Sequence, residues 1–167
     1  MKEEMELLKI APPEYEKLLI EIQSALGPDR KPLLIGVDGR EGAGKTSVSS
    51  WLAWQLGMPV IHLDLFIKQN GVPAPVVRRT ADLDRCIKAR GERPLIVEGV
   101  LLLDALGEVE RSPDFLIFVE EQAAISTRNR IDADLIDTRE FSLPNQVKAY
   151  HSRRSPADRA NFKLRAY

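Results

Sequence analysis

The sequence, 167 residues long, predicts an α/β fold: an open, mostly parallel sheet with helices on both faces. Three observations predict it. Apolar runs recur at Leu33–Val37, Val60–Leu63, Pro94–Val97 and Phe115–Val119. Helical patterns separate them. The first run ends in a glycine-rich turn, Gly39 to Gly44, that leads directly into a helix. Runs that are apolar throughout, rather than at alternate positions, mark strands covered on both faces, as parallel sheets demand.

Residues 12 to 26 form the first expected helix, with Pro12 and Pro13 in its opening turn and Leu18, Leu19, Ile22 and Leu26 as its apolar stripe. Gly27-Pro28 stops it. After the first strand and its turn, a helix is expected from about Lys45 to Leu56, with Val48, Leu52 and Leu56 inward and Gly57 as its cap. The second strand ends at Asp64. Residues 65 to 79 lack a period and contain Gly71, Pro73 and Pro75, which predicts a surface loop. Thr80 caps a helix to about Arg90, closed by Gly91. The third strand ends at Glu98-Gly99. The fourth leads to a helix from Glu121 to about Ala133. Two short helices follow, starting near Pro144 and Pro156, each with a serine just ahead of it. No apolar run follows residue 119, so four parallel strands are expected and a fifth is not. The domain plan is a single unit over 1–167, with an N-terminal helical segment at 1–28 and a lid with C-terminal helices over about 134–167.

Composition excludes several classes. Lys and Arg number 24 against 25 Asp and Glu, giving a net charge of -1, so there is no protein-wide basic field for nucleic acid. The basic stretch Arg153, Arg154, Arg159, Lys163 and Arg165 reads as a solvated helical face. The single cysteine, Cys86, forbids an internal disulfide, and His62 and His151 show no zinc-ligand spacing. The acidic start of the chain predicts no secretory leader. The longest apolar stretch, around Leu95–Leu106, is broken by Glu98 and Asp104 and is no membrane span. A soluble cytoplasmic protein is expected.

The chemistry lies in Gly39-Arg40-Glu41-Gly42-Ala43-Gly44-Lys45-Thr46, which matches the phosphate-binding pattern G-x-x-x-x-G-K-[ST] in full. Its glycines let successive backbone N–H groups turn inward around phosphates, and the helix that follows aims its positive end at the same anion. Lys45 reaches the terminal phosphates and the Thr46 hydroxyl ligates Mg²⁺. Ser47 completes the nucleotide-binding stretch. ATP and Mg²⁺ are the expected cofactors.

The stretch from Gly36 to Thr46 also resembles the start of the uridine kinase and phosphoribulokinase family of P-loop kinases, above all its small bacterial uridine-kinase-like members. His62-Leu63-Asp64-Leu65-Phe66 is similar to that family's strand ending in an aspartate and an aromatic. Ile96-Val97-Glu98-Gly99-Val100 is similar to its strand with Glu-Gly at the tip. Phe118-Val119-Glu120, followed by a helix with Arg128 and Arg130, resembles its strand and arginine-bearing lid helix. The resemblance implies a P-loop NTPase fold of the nucleoside-kinase type. It also implies a phosphotransferase acting on the hydroxyl of a nucleoside- or sugar-sized acceptor. Two departures stand out. The segment between Asp64 and Glu98 is short for a true uridine kinase. The family's fifth strand and final helix have no counterpart in the pattern, which predicts weak discrimination between ATP and GTP.

Asp64 ends a strand, where open α/β sheets hold their ligands. The resemblance makes it the group facing the acceptor hydroxyl, as base or as orienting group; a loop cap is the other reading. Glu98 also ends a strand and suits a Mg²⁺-bound water or the acceptor; a structural pair with an arginine is the other reading. Asp38 either reaches the acceptor or caps the loop backbone. Arg130 aligns with the family's helix arginine and joins Lys45 and Asp64 as catalytic, while Arg128 and Arg139 are further lid candidates. Phe66, Lys68 and the pair Arg78-Arg79 either line a pocket for an anionic acceptor or are solvated. His62, flanked by Ile61 and Leu63, reads as a satisfied core histidine. A GTPase switch would need an Asn-Lys-x-Asp element, and the sequence has none; Asp104-Ala105-Leu106-Gly107 lies too far past Glu98 to serve as D-x-x-G. A P-loop switch or NTPase without an acceptor remains the alternative. Acceptor identity and oligomeric state are left open.

Overall fold

The computed structural model describes residues 13–68, 75–121 and 142–165. Helix α1 spans Pro13–Leu26, strand β1 Leu34–Gly39, helix α2 Lys45–Leu56 and strand β2 Val60–His62. One turn of 3₁₀ helix, Leu63–Phe66, follows. Then come α3 Thr80–Arg90, β3 Leu95–Glu98, α4 Leu102–Glu108 and β4 Phe115–Glu120. The chain closes with α5 Leu143–Arg154, α6 Pro156–Arg159 and β5 Phe162–Arg165.

All strand pairs are parallel, and the order across the sheet is β2-β3-β1-β4-β5. The glycine-rich turn therefore leaves the central strand. The sheet separates two cores. On one face α1 and α2 bury Leu18, Ile22, Val48 and Leu52 against Ile35, Val37, Ile96 and Ile117. On the other, α3, α4 and α5 bury Leu83, Leu102, Leu106 and Tyr150 against Leu95, Val97 and Leu116. Because successive strand residues alternate faces, Asp38 at the end of β1 looks toward α5, while Glu98 at the end of β3 looks toward α2.

β5 corrects the expectation of four strands. It is a short edge strand whose inward side chains, Leu164 and the half-buried Phe162, alternate with Lys163 and Arg165, so it carries no apolar run. Its backbone pairs with β4, and Arg165 N–H donates to Glu14 Oε2 of α1 at 3.1 Å. The ground for expecting weak purine discrimination falls with it. Helix α4 is likewise unforeseen: Leu101 takes a left-handed conformation (φ 57°) that turns the apolar run after β3 from strand into helix. The expected loop at 65–79 opens on the end of the 3₁₀ turn and holds an antiparallel bridge between Ile67 and Arg78. Arg79, not Thr80, caps α3; Thr80 lies inside the helix and its hydroxyl donates to Glu108. Ser142 caps α5 as expected, accepting from Asn145 N–H at 3.3 Å. Ser155 makes no such bond to α6. No described helix is long and apolar enough to cross a membrane.

Candidate functional site

The loop between β1 and α2 is built by backbone geometry. Gly42 and Gly44 have φ of 75° and 94°, open to glycine and costly for other residues. At Gly39 (φ 154°) a Cβ would stand 2.6 Å from the carbonyl oxygen of Val119, so only glycine lets the loop leave β1 pressed against β4. Gly44 caps α2 without a side chain, so the amides of the first turn of α2 have no side-chain acceptor from that cap. Arg40, Glu41, Gly42, Thr46 and Ser47 are exposed, whereas Ala43 and Lys45 are buried. An anion can reach this helix end from solvent.

Lys45 Nζ donates to the Arg40 carbonyl at 2.6 Å across the loop. Burial pushes its pKa down, and the carboxylates of Glu98, Asp38 and Glu41 push it back up. Thr46 Oγ1 donates to Glu98 Oε1 at 3.3 Å, joining the start of α2 to the tip of β3. Glu98 Oε1 also accepts from His62 Nδ1 at 2.6 Å. These side chains converge because β3 lies between β1 and β2 and the register sets His62 beside Glu98. At Gly99 (φ 155°) a Cβ would meet Leu63 Cβ at 2.7 Å, which keeps the chain tight behind this carboxylate.

A hydroxyl and a carboxylate in contact form a hard-oxygen donor set. It fits Mg²⁺, which takes one or two protein ligands and fills its shell with phosphate oxygens and water. No group of three or more His, Cys, Asp or Glu side chains converges among the described residues.

Asp64 stands in the 3₁₀ turn just past β2, exposed at the same carboxyl edge. Asp38 does not reach outward. It is wholly buried, accepting from Gly39 N–H at 2.7 Å and from the Tyr150 hydroxyl. Of its two sequence readings the backbone cap is the one observed. The pair Arg78-Arg79 is divided between inside and outside. Arg78 is buried and pairs with Glu108 at 2.9 Å. Arg79 donates to the Leu65 carbonyl and lies over the Phe66 ring. Of the two readings for these residues, Arg78 fits neither, being buried in a structural pair; Arg79 and Lys68 are exposed, and Phe66 packs against the core. His62 is satisfied, as expected, but its partner is Glu98 and not the core. Arg128, Arg130 and Arg139, with the helix expected at 121–133, lie outside the described residues. Asp104 sits inside α4, paired with Arg153 and Arg154 at 2.5 and 2.7 Å, far from a switch role.

Sequence reasoning missed Tyr150 and His151 on α5. Their signal was faint: two aromatic rings in a polar, basic stretch. Tyr150 is buried against Asp38. The His151 ring packs edge-on against Phe118, and its buried Nε2 has no partner. Burial, then the positive charges of Arg40 and Lys45, push its pKa below the ordinary range.

Sheet order, central phosphate loop and the Thr46–Glu98 contact define a P-loop α/β domain. No protein-family model matches the chain, and no curated protein does. Solved structures do match. One is a possible uridine kinase from Bacillus stearothermophilus, with a TM-score of 0.64 at 14% identity over 90% of this chain and 97% of that one. Another is a provisionally assigned fructose transport system kinase from Silicibacter sp. TM1040, with a TM-score of 0.55 at 20% identity over 90% and 98%. The chain has the fold of these P-loop kinases.

Proposed function

We propose that the protein is an ATP-dependent small-molecule kinase, transferring the γ-phosphoryl group to a hydroxyl of a nucleoside- or sugar-sized acceptor. The observation that carries this reading is the contact of Thr46 with Glu98 beside Lys45, with Asp64 exposed on the same sheet edge. The loop amides and the α2 N-terminus bind the phosphates, and Lys45 turns from the Arg40 carbonyl to the γ-phosphate. Bound Mg²⁺ would be held by Thr46, with Glu98 as direct or water-mediated partner, and would supply charge neutralisation on the β- and γ-phosphates. Asp64 orients the acceptor hydroxyl or takes its proton as the new P–O bond forms and the bond to ADP breaks. By its resemblance, Arg130 neutralises charge on the transferring group. Of the pair Arg78-Arg79 only Arg79 is exposed, so the two guanidiniums do not serve an anionic acceptor side by side.

The test is ADP release from Mg·ATP across a panel of hydroxyl acceptors, with an acceptor-free control. The parent is expected to respond to one acceptor class. Lys45→Ala should bring turnover to background without unfolding. Asp64→Asn should keep ATP binding and lose about 10²- to 10⁴-fold in kcat. ADP release that ignores every acceptor would instead establish a P-loop NTPase.

A further inference from the structure

His62 closes a short edge strand whose other residues are apolar, and a third apolar side chain would have served the sheet equally well. Instead its imidazole donates to Glu98 Oε1 at 2.6 Å, the shortest link that carboxylate makes. The Thr46 contact to the same oxygen, at 3.3 Å, lies at the long end of hydrogen bonding. Glu98 is only 5% exposed in its side chain, and His62 is 27% exposed. The terminal torsion of a glutamate is broad and soft, so a carboxylate held by one long bond swings readily. It has somewhere to swing. Glu98 is the carboxylate that acts most strongly on Lys45, and an ion pair between them would tie up the lysine that the nucleotide needs.

We propose that His62 is a positioning residue: it holds the Glu98 carboxylate against the Thr46 hydroxyl and off the Lys45 amine, so that the Thr46–Glu98 pair stays ready for the nucleotide-bound divalent cation. Both hydrogen bonds fall on Oε1. With the Thr46 proton given to Glu98, the lone pairs of Oγ1 are left for the cation, and Oε2 is left for a water on that cation. The side chains meet because His62 and Glu98 are register partners in neighbouring parallel strands and therefore point to the same face, the face on which α2 begins. Supports of this kind around metal-binding groups typically change metal affinity by about 10- to 100-fold. The inference rests on the Mg·nucleotide reading above.

The test is calorimetric titration of a non-hydrolysable ATP analogue, with Mg²⁺ and with EDTA, into the parent, His62→Leu and His62→Asn. The readout is the Mg²⁺ increment, the ratio of the two affinities. For His62→Leu the Mg²⁺ increment should fall about tenfold or more, while the EDTA affinity falls by less, through the Lys45 that Glu98 can then reach. His62→Asn, whose amide nitrogen takes the place of Nδ1, should recover most of it. A His62→Leu protein that keeps the parent's increment overturns the inference. So does a loss of equal size with Mg²⁺ and with EDTA, because that is the mark of a purely structural role. If His62→Leu does not fold, His62→Gln, whose amide nitrogen falls at the wrong position, replaces it under the same two criteria. A parent with no Mg²⁺ increment at all overturns the kinase reading and this inference together. A parent increment that His62 variants leave untouched overturns only the inference.

Discussion

Asp38 is a carboxyl group placed where water cannot reach it. Burial pushes its pKa up from 3.8 to about 6, against the hydrogen bonds from Tyr150 and Gly39 and the charge of Lys45, which pull it down; Asp104 adds to the rise. The sign of the linkage follows. The folded chain holds this proton more tightly than the unfolded one, so the group's stabilising contribution is complete below about pH 4 and is lost as pH rises through about 6. A rise from 3.8 to about 6 corresponds to about 3 kcal/mol. Asp38→Asn removes the titration. The difference in unfolding free energy between variant and parent should therefore move in the variant's favour by about 2–3 kcal/mol between pH 4 and pH 7. Urea denaturation at several pH values checks this, and a difference independent of pH would mean that Asp38 does not titrate in that window. Nothing in the sequence around Asp38 distinguishes it from an exposed loop cap. Its burial is supplied by Tyr150, 112 residues away.

Helix α5 acts through that one tyrosine. Tyr150 is 1% exposed, and its hydroxyl donates to Asp38 while accepting from Leu103 N–H at 3.0 Å. Leu103 N–H belongs to the first turn of α4, where helix amides lack partners, and the cap residue Leu101 has no polar side chain to offer. The hydroxyl thus ties α5, the start of α4 and the end of β1 together. Tyr150→Phe leaves a buried carboxyl and a buried amide each short of a partner, and should cost about 2–4 kcal/mol. Chemical denaturation measures it, and a loss below about 0.5 kcal/mol would show that the hydroxyl is not holding these elements. α5 itself was legible, because Ser142 and Pro144 form a start signal in the sequence. α4 was not. Four of its seven residues are apolar, and so short a run has no period that separates helix from strand. A single left-handed residue made the difference.

Across the whole molecule, β5 closes the sheet beyond β4 and gives α1 part of its floor. Leu164, its one fully buried side chain, lies in the core that α1 and α2 share. Leu164→Ala should cost about 2–5 kcal/mol, the range for emptying a leucine site in a packed core. Equilibrium urea unfolding measures it, and a cost under about 1 kcal/mol would remove β5 from the cooperative core. A four-residue edge strand with two apolar side chains cannot announce itself by pattern, since alternation over so few residues is indistinguishable from a loop.

The sequence alone determined the β1–loop–α2 unit, the phosphate-binding geometry and the places of Lys45 and Thr46. Those residues are contiguous from 39 to 46, and their mutual geometry is carried by the backbone between them through glycines that only this turn requires. It also determined the parallel α/β class, because doubly covered strands must be apolar along their whole length. The tertiary structure decided which distant side chains meet. Thr46 and Glu98 are 52 residues apart, and His62 and Glu98 are 36. It also decided that Arg78 turns inward and that Asp38 faces Tyr150. Such pairs share no backbone geometry; they are fixed by the order and register of the strands, which emerge only when both cores are packed.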